Sequence, residues 1–132
     1  MDPTIDELQN SSRAISRVST KALVVDLPDL PGVKCPCGIA RRAFADRDEF
    51  PGTVHLTEIH EDAEEHFHRE HTEVYVILEC EPGAAIELDG VSTPVSERTA
   101  ILIPPGVRHR ARGRMVVLIL CTPNFDPLDE HF

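Results

Sequence analysis

Apolar and polar positions alternate in short bursts along this chain, and the bursts are broken before they reach helical length. Residues 22–27 form a β-branched-rich run, closed by the Pro-rich stretch 28–32. Segments 38–44 and 53–59 follow as strand candidates. The run 73–78 (EVYVIL) is the clearest strand of the first half. Pro82-Gly83 and Asp89-Gly90 mark turns on either side of a strand at 84–88. Residues 100–103 stop at Pro104-Pro105-Gly106, and strands at 107–111 and 115–121 come last. Helical periodicity is almost absent. The eleven prolines fall mostly at strand ends, where a missing N–H costs little. The pattern predicts an all-β sandwich or barrel over residues 22–132. Residues 1–21 read as an N-terminal arm, with Thr4 and Glu7 at the spacing of a capping box and hence a short helix.

At 132 residues the chain suits one domain with one core. Thirteen Lys and Arg face twenty-three Asp and Glu, a formal charge of −10. That balance repels phosphate backbones and anionic membranes. The chain has no Trp and one Tyr, which argues against single-stranded nucleic acid as a partner, since that relies on aromatic stacking. No apolar run approaches the ~20 residues that span a bilayer. The acidic start MDPTIDELQN lacks the features of a signal peptide. A soluble, cytoplasmic protein is therefore expected. Its four cysteines (Cys35, Cys37, Cys80 and Cys121) are expected to be free thiols. Cys35-Pro36-Cys37 has C-x-C spacing rather than the C-x-x-C of redox and zinc motifs. It is read as a turn before the strand at 38–44, the sharper alternative being a reactive thiol at a barrel mouth.

The chemistry concentrates in the histidines. His66 and His68 sit two apart, which places both imidazoles on one face of an extended segment. Glu73 opens the next strand on the side of Tyr75 and Ile77. His109 follows the Pro-Pro-Gly turn with Val107 and Ala111 as same-face neighbours. Three imidazoles and one carboxylate suit one divalent transition metal: Fe, Mn, Ni, Co, Cu or Zn. Without thiolates, a closed structural zinc site is disfavoured. His55, His60 and His71 are read as surface residues or as residues packed behind the ligands, with His60 able to reach the pocket from its strand end. Tyr75 is the best inward-facing hydroxyl. One of Arg41 and Arg42, on opposite faces of a strand, must point inward, where it needs a partner or an anionic ligand. Arg108, Arg110, Arg112 and Arg114 project away from the His109 face and read as a solvated stripe. The alternative for that stripe is pairing with the acidic run between Glu61 and Glu70. The aromatic and acidic tail, 124–132, reads as a disordered terminus or as a segment packed on the barrel end or on a neighbouring subunit.

His66-Phe67-His68, four residues, then Glu73 resembles the first motif of the cupin superfamily. Pro104-Pro105-Gly106-Val107-Arg108-His109 resembles its second, Pro-x-Gly-x-x-His. The matching part covers roughly residues 52–121. Four turn positions depart from the family pattern: His60, Cys80 and Arg98 stand where Gly is usual, and Gly113 where Asn is usual. The resemblance implies a single jelly-roll β-barrel with a metal in its mouth, held by His66, His68, Glu73 and His109, and a tendency to form homodimers. It leaves the reaction open, because cupins span many chemistries. Two readings follow. One is a metal-dependent enzyme on a small organic substrate, of dioxygenase or sugar (sugar-phosphate) isomerase type, with Tyr75 or His60 moving a proton. The other is a non-catalytic small-molecule or metal-responsive binding module.

Overall fold

A computed structural model describes residues 15–18, 22–60 and 63–132. The expected helix near Thr4 lies outside the described residues. The described chain is nearly all β, in antiparallel sheets. Strands β1 (Ile15–Val18) and β2 (Leu23–Val25) pair with each other. The large sheet contains β3 (Val33–Cys35), β4 (Gly38–Ala43), β5 (Thr53–Ile59), β6 (Thr72–Cys80), β9 (Ala100–Ile103) and β11 (Met115–Thr122), in the order β3-β4-β5-β11-β6-β9. The small sheet contains β7 (Ala85–Leu88), β8 (Val91–Pro94) and β10 (His109–Arg112), in the order β10-β7-β8. The sheets are not closed into one ladder. They meet over a shared core in which Ile77, Val117 and Ile119 from the large sheet pack with Ile86 and Ala111 from the small one. No helix among the described residues is long and apolar enough to cross a membrane.

The alternation read from the sequence is kept. Along β5, Thr53, His55, Thr57 and Ile59 are buried, and along β6, Glu73, Tyr75 and Ile77 are buried. Period-two burial puts these side chains inside and their neighbours on the outer face. Three strands escaped the pattern. β3 and β8 are short, largely exposed edge strands, and β8 (VSTP) is polar and ends in Pro. Both are protected in the way edge strands usually are. β1 lies inside the segment read as an arm and is held there by pairing with β2.

Two of the family's unusual positions have left-handed backbone. Arg98 adopts φ 70° and Gly113 φ 92°. The left-handed backbone at Arg98 explains why Gly is usual there. Its N–H donates to the carbonyl of Ile77 at 2.8 Å, which holds the turn with the larger residue in place. Gly38, at φ 145°, is different in kind: a Cβ there would run into the carbonyl oxygen of Glu58 on the neighbouring strand.

The arginine stripe is exposed at Arg108 and Arg114, and its two middle members pair with Glu87. Arg110 Nε donates to Glu87 Oε2 at 2.5 Å and Arg112 Nε donates to Glu87 Oε1 at 3.0 Å. Register decides this, because Arg110 pairs directly with Glu87 across β10 and β7. Arg108 instead lies over the Phe67 ring, 4.5 Å from its centroid.

Candidate metal centre

Two backbone devices bring the histidine pair to His109. The N–H of His66 donates to the carbonyl of His109 at 3.1 Å, and the N–H of His109 donates back to His66 at 2.9 Å. His66 thereby adds a rung to the edge of the small sheet at β10, while Phe67 bridges to His131 of the tail. Gly106, at φ 88°, turns the chain into this position and donates its N–H to the carbonyl of His68 at 2.7 Å. Glu73 comes from the large sheet, at the start of β6, so the four side chains meet between the sheets.

His66, His68, Glu73 and His109 are all buried, and one ligand atom from each lies within 4.8 Å of the others. His68 Nδ1 and His109 Nε2 each sit 3.3 Å from the same carboxylate oxygen, Glu73 Oε1. Both Glu73 Oε1 and His109 Nε2 are buried without a hydrogen-bond partner. Orphaned buried polar atoms are costly, and an ion between them removes the cost. The donor set of three nitrogens and one oxygen fits a divalent transition metal and leaves coordination positions for exchangeable ligands.

The tautomers fit as well. His66 Nδ1 lies 3.0 Å from the carbonyl of Glu64 and His109 Nδ1 lies 2.9 Å from that of Val107. A carbonyl only accepts, so each Nδ1 carries the hydrogen and each Nε2 keeps its lone pair for a metal. Burial, reinforced by the neighbouring His109, pushes His66 down to about 4. Burial also lowers His68. Burial alone would raise the Glu73 carboxyl, but the close approach of His109 and the positive ends of His68 and His66 outweigh it and hold Glu73 low. At neutral pH His66 and His68 are therefore neutral imidazoles and Glu73 is a carboxylate.

The two residues expected to move protons part company. Tyr75 is buried on the Glu73 face, its ring edge-on to His109 at 5.9 Å. Burial, and then the charge of Glu73, pushes its phenol well above the ordinary value, so it stays protonated. His60 is not brought to the site. Glu73 is level with Thr53 through Cys121, whereas His60 follows Ile59 at the other end of β5, about 20 Å along the strand. Its side chain is 60 % exposed and faces Glu58 at 3.6 Å. The expectation failed because residue order along a strand does not say which end carries the ligands.

His55 and His71 are buried beside the centre rather than on the surface. The His71 ring lies 5.4 Å from that of His68. Asp126 donates its N–H to His71 Nε2 at 3.2 Å, and His71 Nδ1 faces Asp129 Oδ2 at 3.3 Å. The C-terminal tail thus packs over the site, which its mixed composition allowed but did not specify. Asn124 Nδ2 reaches the carbonyl of Gly52 at 3.1 Å and Phe125 N–H donates to Thr53 Oγ1 at 2.8 Å. Phe125 then lies between His55 and His71.

Comparison with known proteins places this geometry. A crystal structure of a protein from Planctomyces limnophilus matches 86 % of this chain and 98 % of its own, at 42 % identity and a TM-score of 0.82. The structure of the Streptomyces nucleoside dehydratase Pac13 matches at 16 % identity and a TM-score of 0.69, covering 81 % of this chain and 88 % of that one. Ectoine synthase from P. lautus gives 16 % and 0.68, covering 81 % and 82 %. These last two share the fold alone. Comparison with curated proteins gave no significant match. The cupin domain model matches residues 52–121, a span that holds every one of the four converging side chains. With both sequence motifs, the facing antiparallel sheets and that match in agreement, the chain belongs to the cupin superfamily.

Proposed function

We propose that this chain is a metal-dependent enzyme acting on a small organic substrate by proton transfer, in the manner of a lyase or isomerase. The observation that carries the reading is the buried meeting of His66, His68, Glu73 and His109, with Glu73 Oε1 and His109 Nε2 otherwise unsatisfied. A metal held there supplies Lewis acidity to an oxygen of the substrate. Tyr75, buried edge-on to His109 on the Glu73 face, is the candidate proton donor. His66 and His109 are locked by carbonyls into the tautomers that bind metal, and the tail over His71 screens the site from water. The fold is shared with a nucleoside dehydratase and with ectoine synthase, which is compatible with such chemistry.

The test is elemental analysis of untagged protein beside the His66→Ala/His68→Ala variant, followed by turnover of Tyr75→Phe. The expected result is near-stoichiometric metal in the wild type and little in the double variant, with Tyr75→Phe keeping metal and losing turnover. A wild type that takes up no Fe(II), Mn(II), Ni(II), Co(II), Cu(II) or Zn(II) overturns the reading. Oxygen uptake by the iron form would move it to the dioxygenase version.

The same reading includes a homodimer. Leu102, Val74, Leu120 and Val54 stand in register across β9, β6, β11 and β5 on the outer face of the large sheet. Near β5 this face is covered by Leu30 and its neighbours. Towards β9 Leu102 is 65 % exposed. A second copy completes the cover.

A further inference from the structure

Register puts Arg42 opposite His55, on the buried face of β4 and β5, while Arg41 points outward and donates to the carbonyl of Leu30 at 2.5 Å. Arg42 is therefore the inward arginine. Its guanidinium lies over the ring of Phe125, 3.9 Å from the centroid, and its Nε is buried without a hydrogen-bond partner. Two more polar atoms on the same face share that condition: His55 Nε2 and Thr57 Oγ1. A buried guanidinium Nε–H without a partner is costly unless a ligand meets it.

A cleft of about 410 Å³ opens at this point, lined by Lys34, Cys35, Arg42, Phe125 and Glu130 among others. On a chain of charge −10, it gathers two cations against one carboxylate. Arg42 and Glu130 act on each other through their charges, but no short ion pair joins them among the described residues. The Phe125 ring beneath Arg42 also stacks on His71 at 5.7 Å, and His71 adjoins the metal ligand His68 at 5.4 Å. A row of packed rings therefore stands between this cation and the metal centre.

We propose that Arg42 is a binding residue that holds the carboxylate group of a small molecule in this cleft. Carboxylate binding by Arg42 does not depend on the metal centre. A single planar guanidinium with one neighbouring ammonium matches a carboxylate in shape and charge, whereas a phosphate dianion asks for more donors.

The test uses acetate, malonate and inorganic phosphate as probes on metal-free and zinc-loaded protein. It follows the Arg42 Nε–H signal by NMR and affinity by calorimetry. Saturable movement of that signal by malonate or acetate is expected in both forms. Arg42→Gln should weaken carboxylate binding at least about tenfold with zinc content unchanged, and Arg42→Lys should lose less. Unchanged affinity in Arg42→Gln, or a response no larger than chloride gives, would overturn the proposal. A response to phosphate with none to carboxylates would overturn the assignment of ligand class. Carboxylate binding by a chain that takes up no metal would leave the anion site standing and overturn only the metal-centre reading.

Discussion

Asp129 accepts the backbone N–H of His71 at 2.9 Å and also faces that residue's Nδ1 at 3.3 Å, across 58 positions of sequence. The same carboxylate accepts from the N–H groups of Arg69 and Glu70, so it clamps the loop between His68 and Glu73. Burial opposes its charge, but the three backbone donors and His131 hold it well below the usual carboxylate range. Hydrogen bonds to a charged group are the strong kind. Asp129→Ala should therefore cost on the order of 3 kcal/mol of stability in chemical denaturation. It should also weaken metal binding roughly ten- to a hundredfold in chelator competition, as expected when support for ligands is removed. Full metal affinity in this variant would show that the loop holds its shape without the tail.

The buried histidines give stability a definite pH dependence. Burial sets His55 at about 3, and burial with His109 sets His66 at about 4, against an ordinary 6.5. As pH falls, the unfolded chain takes up protons first and the folded chain resists them. Stability of the metal-free protein is thus fully present above about pH 7 and is lost from 6.5 downward towards 4, by roughly 3 kcal/mol for His66 alone. Urea melts between pH 8 and pH 4 check this. A flat profile across that window would mean that these imidazoles titrate freely in the folded state.

Much of this site was legible because it obeys short-range rules. The period of two along 73–78 placed Glu73 and Tyr75 on one face, and the i, i+2 spacing of His66 and His68 survives because their segment is extended. The pairing of Arg110 and Arg112 with Glu87 depends on strand register between distant segments, which composition does not encode. The tail shows the same limit. Phe125, Asp126 and Asp129 act through contacts some 55 to 72 residues away, and a mixed acidic and aromatic stretch carries no local periodicity to announce them. His60 failed for the reverse reason: its neighbourhood in sequence to the ligands hides its place at the far strand end.

The proposed dimer makes a specific demand on the outer sheet face. Leu102 and Leu120 flank Val74 in one row across three strands and are 65 % and 37 % exposed. Leu102→Glu/Leu120→Glu introduces two charges per copy into the apolar row without entering the core. Sedimentation velocity should show the wild type as a dimer and the variant as a monomer, with metal content unchanged. A wild type that stays monomeric at high concentration would leave this face as exposed apolar surface needing another partner.

The thiols of Cys35 and Cys37 lie 2.7 Å apart across the turn at Pro36, both half-buried and lining a cleft of about 520 Å³. The hydrogen bond from Cys37 brings Cys35 down to about 7 against the effect of burial, with help from the charge of Arg42. Cys37, as donor and buried neighbour, is pushed well up. One thiol of the pair is therefore a thiolate over much of the neutral range, and the thiolate is the nucleophile. Alkylation by iodoacetamide should modify Cys35 first, with a rate midpoint near pH 7, identified by peptide mass spectrometry. Cys37→Ala should move that midpoint upward, because the donor is gone. Cys35→Ser should remove the fast phase. Equal, slow modification of Cys35 and Cys80 at pH 7 would return Cys35-Pro36-Cys37 to the role of a plain turn.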